Sequence, residues 1–191
     1  MTITQVELDY AKDLGPLGGL IGEWEGSRGD DVAPGKDRGI ENSKYRETII
    51  FTPIGRVDNH EQILFGLRYH KKAWRIGAPD PFHEDTGYML WDAAERQVMR
   101  CFVVPRGIAV IAGGTAAADA TTFALRADVG STTYGICSNQ FLDREFRTVR
   151  FDVKFTLDDD NLTYEEVTEL QMKGRAESFR HTDGNTLRRV T

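Results

Sequence analysis

Cysteine is nearly absent from this chain. Cys101 and Cys137 are the only two among 191 residues, they lie far apart, and no Cys-x-x-Cys pair occurs. That excludes a disulfide scaffold and a thiolate zinc site, and it predicts two reduced core thiols in a cytoplasmic protein. Long apolar runs are missing too. Nothing approaches the roughly 18 residues that a membrane helix needs, and the opening Met1–Asp9 has neither a basic start nor an apolar stretch behind it. Charge of one sign is not concentrated anywhere: 24 basic and 30 acidic residues give −6 without a basic stripe, which argues against nucleic-acid and membrane-surface partners.

The usual catalytic signatures are also lacking. There is no His-Glu-x-x-His and no Gly-x-Ser-x-Gly. Gly29 to Gly35-Lys36 imitates a phosphate loop, but the spacing is one residue too long and Asp37 stands where Ser or Thr is needed. Asp158-Asp-Asp-Asn161 lacks the alternating ligands of a calcium loop and reads as a turn.

What is present is β-structure. With 40% hydrophobic and 28% charged residues, the chain has enough apolar material for one well-packed domain. Residues 1–19 read as a lead-in with a short helix or turn, broken at Gly15-Pro16 and Gly18-Gly19. From Leu20 to Val190 short alternating segments follow one another. After a first strand around Trp24, strands are predicted at 44–53, 60–70, 83–91, 96–104, 107–113, 121–128, 132–138, 145–157, 161–172 and 185–190. The clearest places Val149, Phe151, Val153 and Phe155 on one face. Turns fall at 52–55, 77–81, 92–95, 105–107 and 158–161, and 28–43 reads as a long polar loop. No helical pattern intervenes, so the expected fold is all-β: a single antiparallel up-and-down barrel of about ten strands, a calyx with room inside for one ligand. Gly22-Glu-Trp24-Glu-Gly26 suits such a barrel, the indole plugging one end while the glycines let the strand bend. Arg188 or Arg189, near the other terminus, would close over that indole.

Four histidines are the remaining candidates for chemistry. His60 and His70 sit at strand ends among polar residues and read as solvated. Strand parity groups His83 with Met89 and Trp91, aiming it at the cavity mouth where that face is the inner one unless a bulge at Gly87 inverts it, and His181 precedes the last strand. Asp183-Gly184-Asn185 between His181 and that strand is turn-like. Periodicity alone does not make either histidine a ligand.

Gly22-x-Trp24-x-Gly26, Tyr45-Arg-Glu-Thr-Ile-Ile-Phe-Thr-Pro-Ile-Gly55, His83-Glu-Asp-Thr-Gly-Tyr88 and a histidine just before the final strand occur in this order from about Leu14 to Val190. Together they resemble the nitrobindin family. The resemblance implies a ten-stranded, calycin-like barrel similar to fatty-acid-binding proteins and holding ferric haem b, with His181 as the proximal iron ligand and Phe82 and His83 on the distal side. It also implies nitric oxide binding and a haem-dependent peroxynitrite isomerase activity in which His83 takes the catalytic position. The other reading is a haem-free carrier of a small apolar molecule such as a fatty acid, lined by Phe65, Met89, Trp91, Phe102, Phe151 and Phe155. In both readings the partner is a small molecule inside the barrel, and a homodimer is left open.

Overall fold

The computed structural model describes residues 11–190. Two short 3-10 turns, Ala11–Asp13 and Gly15–Leu20, lead into eleven strands. These are β1 (Gly22–Pro34), β2 (Ile40–Asp58), β3 (Ile63–Arg75), β4 (His83–Asp92), β5 (Gln97–Val104), β6 (Ile108–Thr115), β7 (Thr122–Val129), β8 (Gly135–Ser138), β9 (Phe146–Asp158), β10 (Asn161–Met172) and β11 (Phe179–Arg189). They close into a barrel in the order β1-β11-β10-β9-β7-β8-β6-β5-β4-β3-β2. Closure removes the exposed strand edges that an open sheet would leave. The ladders are antiparallel except where the short β8 is wedged between β6 and β7, running parallel to β7.

One end of the barrel is solid. The turn at Gly15–Leu20 buries Leu17 and Leu20 completely, with Trp24 above them. The indole Nε1 donates to the Leu20 carbonyl at 2.7 Å, so the tryptophan is buried with its polar handle satisfied. Arg189 lies 4.2 Å over the ring and donates to the carbonyls of Gly19 and Ile21, pinning the lead-in to the last strand. Arg189 therefore closes over the plug, while Arg188 is exposed and takes no part. Gly22 adopts φ +119°, and a Cβ on Gly26 would meet Asn185 Nδ2 at 2.7 Å. Just beyond Gly26 the β1–β2 register shifts, the bend that the two glycines were expected to permit.

Several sequence expectations change at the other end. Residues 28–43 are not a long loop: β1 and β2 run on to Pro34 and from Ile40, leaving a tight connection at 35–39. The Pro53/Gly55 segment is a bulge inside β2, not a turn between strands. β11 starts at Phe179, and Asp183-Gly184-Asn185 pairs with 164–166 in an unbroken ladder, so His181 lies within the strand. Turn-forming residues are overridden here because β10 and β1 flank the segment on both sides and satisfy its backbone groups. A register shift opposite Val149 puts Thr148, not Val149, on the inner face of β9. A short helix, α1 (Gln140–Glu145), also interrupts the strands, its start capped by the Asn139 side chain accepting from the Leu142 amide at 3.0 Å. Neither thiol is a core residue, for Cys101 is half-buried and Cys137 exposed, both free. No helix among the described residues is long and apolar enough to cross a membrane.

Replacing Trp24 with alanine should cost about 3–5 kcal/mol of unfolding free energy, the usual cost of deleting a large buried aromatic. Urea titration checks this; a change within about 0.5 kcal/mol would mean that the plug does not hold the barrel shut.

Candidate functional site

Above the solid end lies a layer of buried charge. Lys71 is 4% exposed and sits among Glu47 at 3.4 Å, Asp183 at 3.7 Å and the Tyr164 hydroxyl at 2.8 Å. Tyr164 also donates to Glu47 and shares a 2.6 Å contact with the Tyr45 hydroxyl. Arg100, buried to the same degree, donates to Glu166 at 2.9 Å, to Asp85 at 3.2 Å and to the Tyr69 hydroxyl at 2.9 Å. An unpaired charge in such a place would cost several kcal/mol, so the layer stands only because each ion has an opposite charge and hydrogen bonds. Burial alone would depress Lys71; Glu47 and Asp183 outweigh it and hold the ammonium firmly protonated. Burial would likewise raise Asp85, but Arg100 and His83 hold its carboxyl well below the ordinary range. Glu166 goes the other way, pushed up by burial and by Asp183.

The layer forms the floor of a cavity of about 440 Å³ in the open half of the barrel, a volume typical of small-molecule sites. One wall is apolar, carrying Phe102, Val110, Phe146, Phe151 and Leu170, with Phe141 and Leu142 of α1 over them. The mouth is bound across its rim by Glu145, at the end of α1, which accepts from Arg38 of the β1–β2 connection at 2.9 Å and from Lys173 at 3.2 Å. The opposite wall is polar and contains Asp31, Arg75, His83, Asp85 and His181.

Both candidate histidines reach the cavity. His83 Nε2 is 3.1 Å from Asp85 Oδ2, and Phe82 lies beside it with ring centroids 6.4 Å apart. No register shift occurs in β4, so the inward parity predicted for His83 is what the strand has. His181 Nε2 is 2.8 Å from Asp31 Oδ1, and Asp31 Oδ2 accepts from Arg75 at 2.8 Å and from the Ser43 hydroxyl at 3.3 Å. Arg75 in turn lies 3.8 Å over the Phe82 ring. Each histidine is thus backed by an aspartate that an arginine neutralises, Asp31–Arg75 on one side and Asp85–Arg100 on the other. Of the expected apolar lining, Phe102 and Phe151 face the cavity; Phe65, Met89, Trp91 and Phe155 pack in the solid end instead. His70 pairs with Glu84 at 2.7 Å on the outside, and His60 is exposed at a turn.

Sequence reasoning did not find Asp31 or Arg75. The one lay in a stretch read as loop, the other beyond the end assigned to its strand. Plain alternation from Trp24 would have turned Asp31 outward; the register shift between Gly26 and Gly29 is what brings it to the inner face.

The fold and this cavity define a closed β-barrel with histidine on the inner wall of its hollow half. Residues 13–189 match the family description "THAP4-like, heme-binding beta-barrel domain", and the chain belongs to that family, the nitrobindins. A crystal structure of Rv2717c from M. tuberculosis has the same fold, with a TM-score of 0.65 and 20% identity over 100% of both chains. No curated protein sequence matches the chain significantly.

The Asp31–His181 contact has a pH signature. Burial pulls His181 down, but Asp31 and Asp183 raise it above its ordinary 6.5; burial pushes Asp31 up, but His181 and Arg75 bring it below 3.8. The histidine's share of stability is complete below pH 6.5 and fades as pH rises through its raised value. The aspartate's share is complete above pH 3.8 and fades as pH falls through its lowered value. The stability difference between wild type and Asp31→Asn should therefore peak between pH 3.8 and 6.5 and shrink on either side. Urea midpoints across pH measure it; a difference independent of pH would mean the pair is not formed in solution.

Proposed function

We propose that this protein binds ferric haem b in the barrel cavity, where His181 would hold the iron, and that it handles nitric oxide and converts peroxynitrite to nitrate. The observation that carries the reading is His181 on the inner wall, across the cavity from a wall carrying Phe102, Phe146 and Phe151. The donor set fits: an imidazole for iron, phenylalanines for the ring, and Arg106 among the lining residues as a cation for carboxylates. Haem supplies the iron centre at which a small nitrogen oxide is bound and rearranged.

The chain's own residues do the rest. The apolar wall excludes bulk water, which strengthens every charge interaction inside. Phe82 limits the space beside His83, and His83 is the group placed to exchange a hydrogen bond or a proton with a bound ligand. Asp85, fixed by Arg100 and Tyr69, holds the His83 ring in one orientation. The two free thiols fit a reducing, cytoplasmic setting.

Titrating the purified protein with ferric haem and following the Soret band should give a saturable one-to-one change that is lost in His181→Ala. A non-saturating spectrum resembling free haem in the wild type would turn the reading to a haem-free carrier of an apolar molecule.

A further inference from the structure

The contact between His181 and Asp31 bears directly on how iron would be taken up, given the haem binding proposed above, on which the inference rests. Nε2 is the ring nitrogen farther from the backbone, the one a bulky macrocycle can approach with least hindrance. In this structure that nitrogen is at 2.8 Å from Asp31 Oδ1. The other oxygen of the same carboxylate has its own partners, Arg75 at 2.8 Å and Ser43 at 3.3 Å. Asp31 is 4% exposed, so water does little to compensate it, yet it does not need His181 to remain paired.

We propose that Asp31 is a latch on His181: its carboxylate competes with haem iron for Nε2, and loading requires His181 to leave Asp31, which stays bound to Arg75 and Ser43. Three features set the strength of the latch. The Asp31–His181 contact spans adjacent strands, β1 and β11, so it closes within the barrel wall without ordering any loop. Arg75 draws charge away from Asp31 and weakens its hold on the histidine, and Arg75 is itself held by stacking on Phe82. The polar side of the cavity thus stays paired both before and after His181 turns to iron, which keeps loading reversible.

The two charged residues behind His181 then act in opposite directions, which no purely structural role would produce. Asp31→Asn keeps the shape and removes the charge, and it should bind ferric haem about tenfold more tightly than wild type, the order expected when a charge-assisted hydrogen bond is removed from the competing state. Arg75→Gln leaves Asp31 with His181 as its main partner and should bind haem about tenfold more weakly. Soret titrations of wild type, both variants and His181→Ala measure this, with circular dichroism melts verifying that each is folded and Asp31→Ser replacing the amide variant if that one is not. Asp31→Asn binding haem as wild type does, or more weakly, overturns the latch while leaving the haem reading intact. Wild type and His181→Ala titrating alike overturns the haem reading, and the latch with it.

Discussion

A charge enclosed in a closed barrel has to be matched where it stands, because little water reaches it and no strand edge offers a spare backbone group. This constraint organises the protein. Lys71 and Arg100 each gather two carboxylates and a tyrosine hydroxyl, and the layer they form separates a solid half from a hollow one. Below it, Trp24 and the leucines of the lead-in turn pack with the aromatic core and close that end of the barrel. Above it, the remaining volume cannot close, since the floor is already committed to its own ion pairs and the far wall carries phenylalanines that only another apolar body would cover. The cavity follows from where the charges were buried.

The same requirement explains the histidines. Asp31 and Asp85 cannot remain bare on the inner wall, and each is shared between an arginine and a histidine. A histidine held this way has a defined orientation before any ligand arrives, which reduces the ordering needed for binding. It also enters binding already engaged. On the proposed reading, loading of a metal-bearing ligand is an exchange of partners at His181.

The architecture was legible in the sequence because barrel strands announce themselves by alternation and by the turn residues between them. β9 shows both the strength and the limit of that signal. Its apolar alternation gave the strand, but a bulge opposite Val149 moved Thr148 into the cavity, and no composition rule marks where a ladder slips. The plug at Trp24 was readable from its flanking glycines, while the choice of Arg189 over Arg188 depended on register. The two cavity-lining histidines were singled out in the sequence, His83 by strand parity and His181 by the family resemblance. Asp31 and Arg75 were not, because a carboxylate in a polar stretch looks solvated until the sheet closes over it. Asp183-Gly184-Asn185 misled in the same way: neighbouring strands outweighed a local turn preference that would have moved His181 off the inner wall.

Membership in a family of haem-binding barrels and the exchange proposed at His181 meet at one atom, Nε2. A crystal structure of the protein loaded with ferric haem tests that point most directly. The expected result is iron on Nε2 of His181, with Asp31 released from the ring and still paired to Arg75. Iron held by any other residue, or an intact His181–Asp31 contact beside bound haem, would contradict it.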